Sequence, residues 1–219
     1  MEQLSILFDL DGTLTDSSEG IINCVTLALR HFGLPVPGRD ALRCFIGPPL
    51  RETFPKFGVP QDRVEEAVSV FRSRYNTVGK FENFPYPGIR ELLARLQKDG
   101  HRLYVATSKP ETTAREVLDK FGLSEFFSEI CGADMEGERD TKDAVIAYLL
   151  SGLPGTGHRV MVGDTIFDIE GARLHGIPTV AVTWGFGEPS ELRQAAALAQ
   201  DPEELYQLLT DMAGQGGIY

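Results

Sequence analysis

SILFDLDGTLTDS, residues 5–17, begins as an apolar run and stops at two carboxylates, Asp9 and Asp11, that one residue separates. The residues before Asp9 have the length and types of a short buried strand, and Gly12 marks the turn where the chain leaves it. Ligands bind at the carboxyl edge of an open parallel sheet, because the loops diverge there and leave a crevice. The stretch therefore predicts a candidate site at the end of a strand.

The composition is that of an ordinary globular chain with an acidic balance. Its 219 residues are 42% hydrophobic and 24% charged, and the formal net charge is -11. This charge argues against nucleic acid or an anionic membrane as a partner, but it leaves a small anionic substrate open. The three cysteines are odd in number and widely spaced, which suggests neither a disulfide framework nor a zinc site.

The chain shows no targeting or membrane signal. It enters its first predicted strand almost at once, and no apolar stretch approaches the ~18 residues that a membrane span needs. We therefore expect a cytoplasmic protein.

A helical pattern follows the opening stretch, and repeated prolines then divide the chain into short pieces. After a first helix that ends at Gly33, we predict helical segments near 39–45, 50–57 and 61–78. No convincing strand interrupts them, so residues 16–83 are predicted to form a small helical bundle.

From Gly88 onward, strands and helices alternate. The predicted strands are 103–107, 129–131, 160–163 and 179–182, and the predicted helices are 89–98, 111–121, 141–151, 165–175 and 202–213. Such alternation implies an α/β fold, a Rossmann-like parallel sheet covered on both faces. The predicted core comprises residues 1–15 and 84–219, and residues 16–83 are an inserted domain.

Polar residues stand at the ends of three predicted strands. Asp9 and Asp11 follow the first, Thr107 and Ser108 close the strand 103–107, and Asp164 follows the strand 160–163. The carboxyl ends of parallel strands share one edge, so these residues should converge. One such residue alone is more often a helix cap than a catalyst, but three strand ends together favour a functional site.

Four motifs carry a resemblance to a known family. DLDGTLTDS (9–17) resembles the first motif of the haloacid dehalogenase superfamily, and ATSKP (106–110) resembles the second. DTKDAVI (140–146) supplies a third-motif lysine, and GDTIFDIEGA (163–172) resembles the fourth motif. A helical block after the first motif resembles the subgroup with phosphoglycolate phosphatases, β-phosphoglucomutases, phosphonatases and some nucleotidases. The resemblance implies a core of this family with a helical cap.

The resemblance also implies the chemistry. By the family pattern, Asp9 is the nucleophile that forms an aspartyl-phosphate, while Asp11 protonates the leaving alcohol and then deprotonates the attacking water. Asp9, Asp11 and Asp164 crowded at one edge would repel one another without a cation, and carboxylate oxygens suit Mg²⁺. Asp11 would contact Mg²⁺ mainly through its backbone carbonyl, and Asp164 would complete the metal shell.

The other motif residues are expected to hold the phosphoryl group. Thr107 would donate its hydroxyl, Ser108 its backbone amide, and Lys142 would place a cation beside the phosphate. Relatives often have Lys-Pro where this chain has Lys142 followed by an aspartate, and Arg139 is the alternative cation.

Two residues near these motifs keep two readings each. Lys109 stands where relatives contact substrate, although it would otherwise be read as a surface lysine. Asp168 is expected to orient Lys142 or a metal-bound water, or else to be a favourable acid at a helix N-terminus.

Specificity is expected to come from the predicted cap. In FIGPPLRETF (45–54), Gly47 and the prolines after it form a rigid turn over the site, and Arg51 lies close by. Arg51 would bind a second anionic group of the substrate, or it is a plain surface arginine. WGFG (184–187) is predicted as the loop after the last strand.

The leading prediction is a Mg²⁺-dependent phosphomonoesterase that acts on a small phosphorylated metabolite. 2-Phosphoglycolate is the first substrate to consider, and a nucleoside monophosphate, as for a 5'-nucleotidase, comes next. A β-phosphoglucomutase-like phosphomutase is the nearest alternative, but such relatives tend to have valine or a similar residue where Thr13 stands. A dehalogenase would need no metal, and a non-catalytic phosphate-binding protein would be expected to lack Asp9 or Asp11. The oligomeric state is expected to be a monomer or a homodimer.

Overall fold

The computed structural model describes residues 2–134, 139–154 and 157–214. The chain divides into two compact units. One unit takes Met1–Thr15 and Pro85–Tyr219, and the other takes Asp16–Phe84. Within the described ranges, no helix is both long and apolar enough to cross a membrane.

The first unit is organised by a parallel β-sheet. The strands are β1 (Leu4–Phe8), β2 (Thr15–Asp16), β3 (Phe84–Pro85), β4 (Arg102–Pro110), β5 (Glu129–Ala133), β6 (His158–Gly163), β7 (Thr179–Val182) and β8 (Ala197–Ala199). Six of them form one sheet in the order β5-β4-β1-β6-β7-β8, in which every pair is parallel, and β2 pairs with β3. The predicted α/β fold with a parallel sheet is confirmed.

Helices complete both units. They are α1 (Ser18–His31), α2 (Arg39–Leu42), α3 (Leu50–Thr53), α4 (Val64–Tyr75), α5 (Ile89–Lys98), α6 (Glu111–Lys120), α7 (Lys142–Ser151), α8 (Ile166–Leu174), α9 (Pro189–Leu192) and α10 (Pro202–Gly214). In the first unit, residues of α5, α6 and α10 share one hydrophobic cluster with the sheet, and residues of α7 and α8 share another.

The centre of the sheet explains the apolar run that opens the chain. Ile6 and Phe8 of β1 belong to one cluster and Leu7 to the other, because successive side chains of a strand point to opposite faces. All three are fully buried. A parallel strand with both faces covered needs apolar residues in sequence, and this fixes β1 as a central strand.

The second unit is helical, and α1 packs against α4. The helical segments predicted near 39–45 and 50–57 have these bounds in the structure, and the segment predicted near 61–78 ends at Tyr75. Each combines an α-helix with a 3-10 turn, and these turns cover Arg43–Phe45, Phe54–Phe57 and Gln61–Arg63. Proline removes a backbone donor, so Pro55 and Pro60 favour such short turns. That this unit acts as a cap stays a prediction.

The sequence patterns do not predict β8 and α9 of the first unit. TVAV (179–182) is not the last strand, since β8 follows it at the edge of the sheet. Only three residues long, β8 is too short and too rich in alanine to show alternation. The other missed element is α9, a single helical turn.

Candidate active site

β1 lies where the sheet order changes direction, with β4 on one side and β6 on the other. Asp9 directly follows β1, Thr107 lies near the end of β4, and Asp164 directly follows β6. The residues expected at three strand ends therefore occupy neighbouring strand ends at one sheet edge. This switch point is where open α/β sheets bind ligands.

The Asp9 carboxylate is buried beside a buried cation. Its side-chain oxygen Oδ1 lies 2.7 Å from Nζ of Lys142, and its backbone N–H donates to the carbonyl of Val162 at 2.9 Å. Burial raises the pKa of Asp9 to about 6, although the Lys142 ammonium lowers it. Asp9 is thus a carboxyl group that is fixed beside a buried ammonium.

Lys142 is the first residue of α7 and connects two carboxylates. Its Nζ lies 2.7 Å from Oδ1 of Asp9 and 2.7 Å from Oδ1 of Asp168, and it donates to the carbonyl of Ala106 at 2.9 Å. Burial alone lowers the pKa of the lysine, but the two carboxylates raise it above its ordinary value. The ammonium is therefore charged and held in place from three sides.

The contacts of Asp168 are compatible with both interpretations that the sequence left open, namely a partner of Lys142 and an acid at a helix N-terminus. Its Oδ1 contacts Lys142, while its Oδ2 accepts hydrogen bonds from the backbone N–H and the hydroxyl of Thr165, at 3.0 and 2.9 Å. This is a capping box at the start of α8. A Cβ at Gly163 would stand 2.2 Å from Cγ of Asp168, so glycine is needed there.

Asp164 is fully buried, and two donors hold its carboxylate. The hydroxyl of Thr13 donates to Oδ1 at 3.1 Å, and the backbone N–H of Phe186 donates to Oδ2 at 2.8 Å. Burial raises the pKa of Asp164 well above its ordinary value, and the charges of Asp168 and Asp9 raise it further.

The loop WGFG wraps this carboxylate, which the sequence prediction missed. A Cβ on Gly185 would lie 2.3 Å from Oδ2 of Asp164, and the indole N–H of Trp184 donates to the carbonyl of Thr13 at 3.1 Å. The signal available in the sequence was the pair of glycines around an aromatic residue, since glycine after a strand often marks close approach of backbone.

Asp9, Asp164 and Asp168 form the acidic cluster of this edge. One carboxylate oxygen from each lies within 4.8 Å of the others, and all three residues are buried. Like charges this close favour a bound cation, and hard oxygen donors fit Mg²⁺. The cluster includes Asp168, whereas the metal contact predicted for Asp11 is through its backbone carbonyl and not through a carboxylate oxygen. Because Oδ1 of Asp9 and Oδ1 of Asp168 both face Lys142, the choice of metal ligands among these three carboxylates stays a prediction.

The Asp11 side chain is directed elsewhere. Its two carboxylate oxygens accept from Nζ of Lys109 at 2.8 and 2.7 Å. The backbone N–H of Lys109 donates to the Thr107 hydroxyl at 3.2 Å, and Ser108 beside them is half-buried. A metal contact through the Asp11 carbonyl stays a prediction.

The remaining candidates lie in other surroundings. Arg51 is exposed and donates to the carboxylate of Glu65 at 2.5 and 3.0 Å, within the helical unit. Gly47 of the same unit has a φ of 100°, as a tight turn requires. Their roles in specificity stay predictions. Arg139 pairs with Glu111 at 3.2 Å, whereas Lys142 contacts Asp9.

Known proteins resemble this chain in sequence. A family model described as haloacid dehalogenase-like hydrolase matches residues 6–182. Tyrosine-protein kinase PtkA of Mycobacterium tuberculosis is 45% identical over 183 residues, which make up 83% of this chain and 62% of that relative. A 5'-nucleotidase of Pseudomonas aeruginosa is 43% identical over 192 residues, 86% of each chain. A phosphoglycolate phosphatase of Pseudomonas savastanoi is 29% identical over 219 residues, 94% of this chain and 80% of that one.

Solved structures resemble it as well. The crystal structure of a predicted phosphatase from Clostridium acetobutylicum has a TM-score of 0.89 and 35% identity, and the match covers 96% of this chain and 100% of that chain. The structure of the M. tuberculosis kinase PtkA has a TM-score of 0.83 and 41% identity, over 95% of this chain and 98% of that chain. The chain spans only 62% of the length of the full kinase relatives.

Proposed function

Because this chain belongs to the haloacid dehalogenase-like hydrolase family, we propose that it is a phosphatase and hydrolyses small phosphomonoesters through an aspartyl-phosphate on Asp9. The observation that supports this proposal is the buried Asp9 carboxylate at the end of the central strand, 2.7 Å from the Lys142 ammonium. A fixed carboxylate beside a fixed cation is suited to attack a phosphorus atom whose oxygens carry negative charge.

The reaction has two balanced steps. In the first, a carboxylate oxygen of Asp9 forms a bond to phosphorus, the bond from phosphorus to the ester oxygen breaks, and Asp11 gives its proton to the leaving alcohol. In the second, water attacks the phosphorus, Asp11 takes a proton from that water, and the Asp9 carboxylate is released. Thr107, the Ser108 amide and Lys142 hold the phosphoryl oxygens.

We propose Mg²⁺ as the cofactor, held by the carboxylates of Asp9 and Asp164 and by the Asp11 carbonyl. When bound, it would neutralise charge on the carboxylates and on the phosphoryl group. Thr13 and the Phe186 amide keep Asp164 oriented for this role.

The first prediction concerns the nucleophile. Asp9→Asn keeps the side-chain shape but removes the attacking oxygen anion, so hydrolysis of p-nitrophenyl phosphate should fall by about 10³-fold or more. Asp62→Asn, at an exposed turn of the helical unit, is the matched control and should keep wild-type rates. Circular dichroism checks the fold of both variants, and undiminished turnover by a folded D9N protein would refute the mechanism.

The second prediction concerns metal and substrate. Chelation by EDTA should silence the wild type and added Mg²⁺ should restore it, whereas activity that survives chelation contradicts the metal assignment.

Initial rates on nucleoside 5'-monophosphates, 2-phosphoglycolate and sugar phosphates then rank the substrates. The identity of 43% to a 5'-nucleotidase, against 29% to a phosphoglycolate phosphatase, now favours nucleoside monophosphates over the glycolate ester. A separate assay for transfer from ATP to tyrosine tests the activity in the kinase relative's name.

A further inference from the structure

The end of β4 is irregular where the second motif lies. Ala106 pairs with Cys131 and Pro110 pairs with Ala133, so three residues of β4 stand opposite one residue of β5. The residue opposite is Gly132, and a Cβ there would lie 2.5 Å from the carbonyl oxygen of Lys109. A strand irregularity of this kind re-aims side chains. Here it coincides with the burial of Lys109.

Lys109 forms a bidentate contact with one carboxylate of the site. Its Nζ lies 2.8 Å from Oδ1 and 2.7 Å from Oδ2 of Asp11, and the side chains are 3% and 16% exposed. Lysine is rarely buried unless it is paired, because the ammonium loses its hydration. The contact to both oxygens restricts rotation of the Asp11 carboxylate about its last side-chain bond.

The two buried lysines of this edge therefore contact different carboxylates. Lys142 holds Asp9 and Asp168, and Lys109 holds Asp11. The backbone N–H of Lys109 also donates to the Thr107 hydroxyl. The lysine is thereby tied by its backbone to one motif residue and by its side chain to another.

We propose that Lys109 is a positioning residue, which orients the Asp11 carboxyl group for proton transfer, and is not a ligand of the phosphoryl group. The proposal rests on the function proposed for Asp11. It is the alternative to the substrate contact that the sequence suggested for Lys109, and it is favoured because the Lys109 ammonium contacts both oxygens of Asp11, whereas Lys142 contacts one oxygen of Asp9.

The leaving group separates these two roles. An acid that protonates the departing oxygen matters for phenyl phosphate, whose phenolate leaves poorly, and matters little for p-nitrophenyl phosphate. A ligand of the phosphoryl group matters equally for both esters, because both carry the same group. Dephosphorylation needs Asp11 as a base whichever ester was used.

The test is rapid-quench kinetics of Lys109→Met on both esters. For phenyl phosphate, the first turnover should slow by about 100-fold, while for p-nitrophenyl phosphate it should stay within about threefold of the wild type. The second ester should then give a burst of about one equivalent of p-nitrophenol before a slower steady rate, because the aspartyl-phosphate accumulates. The KM for p-nitrophenyl phosphate should fall, because slow dephosphorylation lowers KM when the phosphorylation step is unchanged. Lys98→Met, which removes an exposed lysine of α5, is the control and should match the wild type on both esters.

Equal losses on the two esters with a raised KM would assign Lys109 to the phosphoryl group and overturn the proposal, and so would unchanged rates. If Lys109→Met does not fold, the same kinetics are measured on Lys109→Arg, which keeps the charge. Lys109→Arg should lose less of the phenyl phosphate rate than the loss expected for Lys109→Met. Equal losses on both esters in this variant would also overturn the proposal. If the proposed function is wrong, the Asp9→Asn variant should still hydrolyse the esters, and this result is separate from the measurements on Lys109.

Discussion

At the scale of single residues, Asp164 shows how little free space the site leaves. Thr13 and the Phe186 amide each occupy one of its oxygens, and backbone approaches it from two loops. A Cβ on Gly12 would lie 2.1 Å from Oδ2, and a Cβ on Gly185 would lie 2.3 Å from the same atom. The position of this carboxylate therefore depends on two residues that have no side chain.

A single methyl group tests that dependence. Gly185→Ala must displace Asp164 or the loop around it, so we expect the free energy of unfolding to fall by about 1–3 kcal/mol and hydrolysis of p-nitrophenyl phosphate to drop sharply. Urea denaturation and initial rates measure the two effects. Gly38→Ala, where no atom lies within 4 Å of the added Cβ, is the control and should change neither. An alanine variant at 185 with wild-type stability and rate would contradict the packing argument.

At the scale of elements, the sequence predicts those parts of the fold in which pattern and burial agree. The helix predicted over 89–98 and the strand over 179–182 have these bounds in the structure, because apolar spacing and flanking glycine or proline mark both. β8 stays hidden, since three residues carry no period. The segment predicted over 50–57 is helical throughout, but its division into α3 and a 3-10 turn at Phe54–Phe57 does not follow from the sequence, because apolar spacing alone does not separate the two kinds of helix.

In the candidate site, too, some features can be predicted from the sequence and others cannot. Residues adjoining strand ends, such as Asp9 and Asp164, follow from topology alone, because parallel strands share a carboxyl edge. Contacts across the edge do not follow from it. The pairing of Lys109 with Asp11 depends on the irregular end of β4, and the bond from Phe186 depends on a loop whose path no local pattern specifies.

At the scale of the whole molecule, ionisation at one end of the sheet links folding to pH. His101 stands just before β4 and is buried, and its Nδ1 accepts the backbone N–H of Leu4 at 3.2 Å. Burial lowers the pKa of His101, although the nearby Asp99 carboxylate opposes this shift. Burial therefore favours the neutral imidazole in the folded protein.

The sign of the pH dependence follows from that lowered pKa. Between the folded pKa and the ordinary value of about 6.5, the unfolded chain binds more protons, so stability rises with pH through this window and falls on acidification. One group contributes at most about 1.4 kcal/mol per pH unit. Urea denaturation at about pH 7.5 and about pH 5.5 should show a larger difference for the wild type than for His101→Asn. Equal differences in the two proteins would exclude His101 as the source.

The pairing of β2 with β3 bears on how the chain can be engineered. They carry the polypeptide out of the sheet-bearing unit after Thr15 and back into it at Pro85, and paired strands run about 4.8 Å apart. The whole helical segment is thus a loop whose two ends meet, and it interrupts its host at one point. Such an insert is modular. It is open to exchange for another of different length, and such an exchange would leave the proposed catalytic residues in the host.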